Sequence, residues 1–321
     1  MTVSIIIAVK TWQKNLEECV AKCLELDFSD FEIIILPDEP LQVSVPEGKV
    51  PIVVIPTGSV KPSDKRDIAL KHAKGEILAF LDDDAYPVKD WLKIALVNFK
   101  DPEVAAVGGP AVTPLSDSFA QKASGAIYAS VAVSGQFIYR YVPKKRKEVD
   151  DYPSCNFLVR KSVMLELGGF NTKFWPGEDT KLCLDITKKL NKRIVYDPGA
   201  IVYHHRRPVF LAHLKQIASY ALHRGYFVKK YPETSLKFSY FVPTLFVLAV
   251  VCGGILFLIF PAFKLPFLLG LSSYFLLVFI FSLSKDLRLI IRVFIGIIFS
   301  HITYGIFFLK GLLSSRLPEG K

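Results

Sequence analysis

The chain has 321 residues, of which 51% are hydrophobic and 22% charged, with a formal net charge of +10. That balance excludes both a freely soluble protein of this size and a wholly embedded one. Five scattered cysteines, an odd number, argue against a disulfide framework as well.

In chain order, residues 3–9 form a short β-branched run. No basic residue precedes it and it is too short for a secretory leader, so the polar part of the chain is expected on the cytoplasmic side. Leu16, Val20, Cys23 and Leu24 then recur at helical spacing. Cys19 and Cys23 stand one turn apart, and with no second pair in view they read as small apolar helix residues. Residues 31–36, 52–55, 77–81 and 104–107 repeat the strand pattern, with a helix over 64–74. Strand alternating with helix predicts an α/β fold with a largely parallel sheet. Ligands of such sheets bind beyond the carboxyl ends of the strands, here residues 10–12, 37–38 and 82–84.

The pattern changes after Gly108-Gly109-Pro110. A helix rich in small residues is expected over 116–137, then a charged loop over 140–151 containing Lys144-Lys145-Arg146-Lys147. That basic run reads as a solvated loop or as an attractor for anionic lipid or diphosphate. Over 209–230, Phe210, Leu214, Ile217, Ala221 and Leu222 fall at helical spacing beside Lys215, Arg224, Lys229 and Lys230. Such a basic amphipathic helix lies in the headgroup plane of a membrane, packs on the globular part, or does both. Residues 238–263, 265–284 and 293–309 contain no Asp, Glu, Lys or Arg. A bilayer crossing takes roughly 20 mostly apolar residues, so three membrane helices are expected. Arg206, Arg207, Lys229, Lys230 and Lys237 before the first, and Lys285, Arg288 and Arg292 after the second, belong on the cytoplasmic side by charge bias. Three crossings put Lys310, Arg316 and Lys321 on the far side, against that bias.

Leu81-Asp82-Asp83-Asp84-Ala85 is the most informative stretch. An apolar strand delivers three adjacent carboxylates, which repel one another unless a cation or several donors are supplied. Alternation puts Asp82 and Asp84 on one face and Asp83 on the other. Paired hard oxygens suit Mg²⁺ or Mn²⁺ completed by the oxygens of a nucleoside diphosphate. A solvated acidic turn is the other reading. Asp38 follows the second strand, where it can accept an N–H from a base, and Arg66 opens the helix that leads through Gly75-Glu76 into the acidic strand. Gly177-Glu178-Asp179 follows Gly168-Gly169-Phe170 and Phe174-Trp175 and precedes a helix.

The ordered motifs resemble glycosyltransferase family 2 over about residues 2–232. They are Ser4-Ile5-Ile6-Ile7, Glu32-Ile33-Ile34-Ile35-Leu36-Pro37-Asp38, Lys65-Arg66 with Ala73-Lys74-Gly75-Glu76, Phe80-Leu81-Asp82-Asp83-Asp84, Gly177-Glu178-Asp179 and Val202-Tyr203-His204. The resemblance implies a GT-A fold, Rossmann-like with a mostly parallel sheet, over 1–208. An amphipathic interface helix over 209–232 and a transmembrane region of about three helices over 233–321 would follow. By the same resemblance Asp38 contacts the base, Arg66 and Asp83 the nucleotide, and Asp82 with Asp84 a metal ion, Mn²⁺ or Mg²⁺. His204 matches a position that in some relatives adds a metal ligand, with His205 in reserve; a satisfied strand histidine is the other reading. Asp179 is the implied catalytic base, whereas a helix cap is the plainer use of Glu178-Asp179.

The implied activity is inverting transfer of a hexosyl group from a nucleotide-diphosphate sugar to a lipid-linked, polyprenyl-type acceptor in glycan or polysaccharide synthesis. Its setting is the cell membrane, with no nucleic acid as partner. Trp175 stacks on a sugar face or anchors its loop in the core. Arg224 reaches a diphosphate or lipid phosphate, or snorkels at the interface. The Gln-x-x-Arg-Trp motif of processive synthases is missing, because Gln216 is followed by Ile217-Ala218-Ser219-Tyr220. Addition of a single sugar is therefore favoured over a processive polysaccharide synthase subunit, and a non-catalytic membrane scaffold with a nucleotide-binding domain is the remaining alternative.

Overall fold

This computed structural model describes residues 1–41 and 49–317. Strand and helix alternate through β1 (Val3–Ala8), α1 (Lys14–Leu24), β2 (Phe31–Leu36), β3 (Ile52–Val54), α2 (Pro62–Leu70) and β4 (Ile77–Asp82). Then come β5 (Ala85–Pro87), α3 (Trp91–Asn98), β6 (Val104–Gly108) and β7 (Ala111–Val112). Two helices, α4 (Phe119–Tyr128) and α5 (Val131–Ser134), stand where one was expected. Ser130 divides them, its hydroxyl accepting the Ala132 N–H to cap the second. They are followed by β8 (Lys147–Val149), β9 (Asn156–Arg160), α6 (Lys161–Leu167), α7 (Glu178–Leu184), β10 (Arg193–Tyr196) and β11 (Val202–His204). The remaining elements are α8 (Leu211–Lys230), α9 (Pro232–Ser235), α10 (Phe238–Ile259), α11 (Lys264–Ser282) and α12 (Leu287–Leu313).

The chain divides into two compact units, the first comprising Met1–Val112 and Tyr139–His205. Its main sheet has the order β3-β2-β1-β4-β9-β6-β10-β8, and a small sheet the order β5-β11-β7. β3, β2, β1 and β4 run parallel, as do β6 and β10, while β9 is antiparallel to both neighbours. β1, β2 and β4 are covered on both faces, which is why they read as near-continuous apolar runs rather than alternating ones. Two buried polar side chains in these strands form a joint. Ser4 donates to Glu32 at 2.7 Å, and the pair accepts the Gly75 and Lys74 N–H groups where the chain enters β4. Gly75 is required there, since a Cβ would lie 2.3 Å from the Ser4 nitrogen. Because β1, β2 and β4 run parallel, the loops that follow them gather at one edge of the sheet, the acidic turn among them.

The second unit takes Thr113–Ile138 and the chain from Arg206 onward. Ile127 of α4 is fully buried there with Val278, Val293 and Ile297. Phe238–Ile259, Pro261–Ser282 and Leu287–Leu313 are each long and apolar enough to cross a membrane. α8 packs along α12 with backbone nearly touching backbone. A Cβ added to Gly225 would lie 2.0 Å from the Phe308 carbonyl oxygen, and one on Gly311 2.0 Å from that of Leu222.

Candidate active site

Strand ends assemble the site. β4 finishes at Asp82, Asp83 and Asp84 make the turn, and β5 follows. β11 pairs antiparallel with β5 with His204 opposite Ala85, a register that brings His204 Nε2 to 2.9 Å from Asp84 Oδ1. One ligand atom each from Asp82, Asp84 and His204 lies within 4.8 Å of the others, and all three residues are half-buried. Two carboxylate oxygens and an imidazole nitrogen fit Mg²⁺ or Mn²⁺, whose remaining positions phosphate oxygens can fill.

Asp83 and His205 turn elsewhere. Asp83 accepts from the Gln13 side-chain amide. Burial, followed by repulsion from Asp84 and Asp82, pushes its carboxyl up to about 6. His205 Nε2 lies 3.0 Å from Glu18 Oε2, while its backbone N–H donates to the Asp84 carbonyl oxygen at 2.9 Å.

Arg66 of α2 connects the acidic turn to the start of α7. One guanidinium nitrogen donates to Asp82 Oδ1 at 2.8 Å and another to Glu178 Oε1 at 3.2 Å. The side chain is 3% exposed and lies 5.8 and 5.7 Å from the centroids of Phe80 and Phe170. Its charge is tolerable at that depth because carboxylates flank it. Burial, then repulsion from Asp179, pushes the Glu178 carboxyl up to about 7 against the pull of Arg66. Gly177, at φ +114°, makes the turn into α7. Glu178 reaches back to the Gly177 N–H at 3.0 Å, and Asp179 Oδ1 accepts the Thr180 N–H at 2.8 Å. Both carboxylates thus satisfy donors at the helix start as well.

Asp38 stands beyond β2, held by Lys65, a residue that no local pattern marks for this task. Lys65 is 3% exposed, and it donates to the Asp38 carboxylate and to the carbonyl oxygens of Val9 at 2.6 Å and Leu36 at 3.2 Å. Three acceptors match the three donors of an ammonium group. Gln13 and Glu18 are equally unmarked, because nothing in a helix-spaced segment signals which polar side chain meets a distant loop.

Trp175 is 42% exposed on the loop before α7. Arg224 belongs to the helical unit, donating to Ser235 Oγ at 3.2 Å with its guanidinium 4.8 Å from the Tyr240 ring centroid. The basic run is stitched down in part, Arg146 donating to Asn98 Oδ1 at 2.8 Å and Lys147 lying 3.7 Å from the Tyr139 ring centroid.

Residues 4–168 match the profile of glycosyl transferase family 2. The chain belongs to that family. The matched stretch contains Asp38, Arg66 and the three aspartates of the turn, and stops before Asp179 and His204. This family 2 member is 30% identical over 146 residues to the pre-mycofactocin glycosyltransferase of Mycobacterium tuberculosis, covering 46% of this chain and 30% of that protein. It is 23% identical over 227 residues to the glucosyl-dolichyl phosphate glucuronosyltransferase of Haloferax volcanii, 64% of this chain and 69% of that one. The chain thus spans under a third of the length of the first relative. Its fold is similar to that of a mannosyltransferase from Pyrobaculum calidifontis solved with GDP-Man and Mn²⁺. That match has a TM-score of 0.65 at 16% identity, over 98% of this chain and 88% of the other. The mostly parallel α/β domain followed by apolar helices is therefore of GT-A type.

Proposed function

We propose that this family 2 protein is an inverting glycosyltransferase that uses Mn²⁺ or Mg²⁺ to move one sugar from a nucleotide-diphosphate donor to a lipid-linked acceptor at a membrane. The observation that carries the reading is the convergence of Asp82, Asp84 and His204 within 4.8 Å, tied through Arg66 to the start of α7. These three would hold the ion, which when bound offsets the charge of the departing diphosphate. Asp38, anchored by Lys65, accepts the N–H of the base, and Asp83 contributes to nucleotide binding. Arg66 keeps Glu178, and with it Asp179, in register with the acidic turn. Asp179 takes the proton of the acceptor hydroxyl. That oxygen bonds to the anomeric carbon as the bond to the diphosphate oxygen breaks on the opposite side, so the anomeric centre inverts. Trp175 offers an exposed ring face to a sugar, and Arg224 is assigned to a lipid phosphate.

The lipid-linked acceptor is supported by the name of the Haloferax relative and by the apolar helices, which would hold the protein at the surface where that acceptor resides. The basic residues flanking those helices support a cytoplasmic site. A thermal-shift titration with UDP-, GDP- and dTDP-sugars, with and without Mn²⁺, tests the reading. A donor that raises Tm only with Mn²⁺, and is turned over, supports it. Absence of stabilisation by every donor, or undiminished metal-dependent stabilisation in Asp84→Asn, refutes it.

A further inference from the structure

We propose that the helical unit crosses the bilayer twice and not three times: α10 and α11 form a hairpin through it, while α12 lies with α8 across the open end of that hairpin, against an anionic phospholipid surface. The ring contacts set the course of each helix. Phe246 stacks on Tyr274 with centroids 4.1 Å apart and Phe257 meets Phe267 at 5.7 Å, so α10 and α11 are antiparallel legs closed near Lys264. α12 meets both legs toward their open end. Its Phe308 lies 5.0 Å from Phe241 on one leg, and its Phe294 lies 6.3 and 6.4 Å from Phe275 and Phe279 on the other. Counting from the Phe246–Tyr274 pair, Phe241 and Phe279 stand at the same depth. Yet at 1.5 Å per residue, Phe294 and Phe308 are about 21 Å apart along α12. A helix lying parallel to the legs cannot present two such distant residues at one depth, so α12 runs across them.

Toward its closed end the hairpin is bare. Leu248, Val251, Ile255, Leu258, Leu265 and Leu269 are 41 to 79% exposed. The 22 residues of α10 rise about 33 Å, enough for a hydrocarbon layer of about 30 Å.

α8 supplies an independent argument. It runs beside α12 in the same direction, with Phe210 6.2 Å from Phe299, a His213 ring nitrogen 3.1 Å from Ser300 Oγ, and Lys229 Nζ donating to the Ser314 carbonyl oxygen at 2.6 Å. Ser300 is the middle of α12. Were α12 to span, the exposed Lys215 of α8, two residues past His213, would sit near the bilayer midplane, where a charge is strongly disfavoured. Lying flat, the pair keeps Lys215, Lys229 and Lys230 of α8 and Arg288, Arg292 and Lys310 of α12 at one level, where anionic headgroups attract them. This course also removes the conflict in the charge bias, because Lys310 and Arg316 then share a side with Lys285. Lys321 lies outside the described residues.

The inference rests on the membrane reading above, and the test separates the two. In a Cys252→Ser background, with the other four cysteines buried, single cysteines replace the exposed residues Ser284, Ala262 and Ser315. They are probed in sealed right-side-out and inside-out vesicles of the expression host with a membrane-impermeant maleimide. Ser284→Cys and Ser315→Cys are expected to react from the same face, and Ala262→Cys from the other. Reaction of Ser284→Cys and Ser315→Cys from opposite faces, or of all three from one face, overturns the two-crossing course. A position reached only after detergent overturns the placement of that end in water. Where a variant is lost from the membrane, Lys285→Cys or Arg316→Cys at the neighbouring exposed site replaces it. Release of the unsubstituted protein by alkaline carbonate would instead sink the membrane reading itself.

Discussion

At the residue scale, Lys65 and Arg66 occupy buried positions because each meets carboxylates. Asp179→Asn keeps the shape of the α7 start and its acceptor for the Thr180 N–H, but cannot take a proton. Transfer is expected to fall roughly 10²- to 10⁴-fold, with nucleotide affinity kept in calorimetric titration; equal loss of both would remove Asp179 from the chemistry. Lys65→Met strands the carbonyl oxygen of Val9, leaves that of Leu36 with the Val9 N–H alone, and takes the cation from Asp38. We expect it to cost about 3 kcal/mol in denaturant unfolding and to weaken nucleotide binding. The raised carboxyls give a pH dependence. Glu178 sits at about 7 instead of 4.5, and Asp67 and Asp83 at about 6 instead of 3.8, each chiefly through burial. A carboxyl raised in the folded state contributes stability that is complete below its ordinary value and disappears as pH climbs through the raised one. In EDTA, then, Tm is expected to drop between pH 5 and pH 8, and Glu178→Gln to flatten that slope in scanning calorimetry.

Among elements, periodicity was a good guide wherever an element's character lay in its own residues. The runs of β1, β2 and β4 are buried on both faces and announce themselves. β9 does not, because it is five residues long and reaches its place between β4 and β6 from far downstream in sequence. Its pairing is antiparallel, an exception to the alternation that predicted a parallel sheet. α4 and α5 looked like one helix because the break at Ser130 is a cap, made by a residue also tolerated inside helices. The α8–α12 pair rests on glycine in each helix. Gly225→Val drives a side chain into the Phe308 carbonyl and is expected to destabilise the detergent-solubilised protein by about 2–3 kcal/mol. Gly254→Ala, with nothing within 4 Å, serves as control and should leave Tm unchanged.

For the whole molecule, the two units are interleaved in sequence, since Thr113–Ile138 packs with the C-terminal helices. A fragment ending at residue 208 would bare Ile127, which is fully buried among Val278, Val293 and Ile297. Such a fragment is expected to be recovered insoluble, while the chain through residue 317 is recovered in mild detergent; a monomeric, soluble fragment in gel filtration would contradict this. Properties of contiguous residues are legible in the primary structure alone: the apolar strands, the carboxylates at the end of β4, the long uncharged stretches and the motif order of the family. It took the packed fold to show that the imidazole of His204, and not that of His205, meets the Asp84 carboxylate, that Arg66 spans Asp82 and Glu178, that Lys65 holds Asp38, and that residues 113–138 belong to the helical unit. These pairings depend on strand register and on which side chain of a helix faces the sheet. Both are settled when distant elements compete to bury apolar area and to satisfy buried charge, and no local pattern contains the outcome.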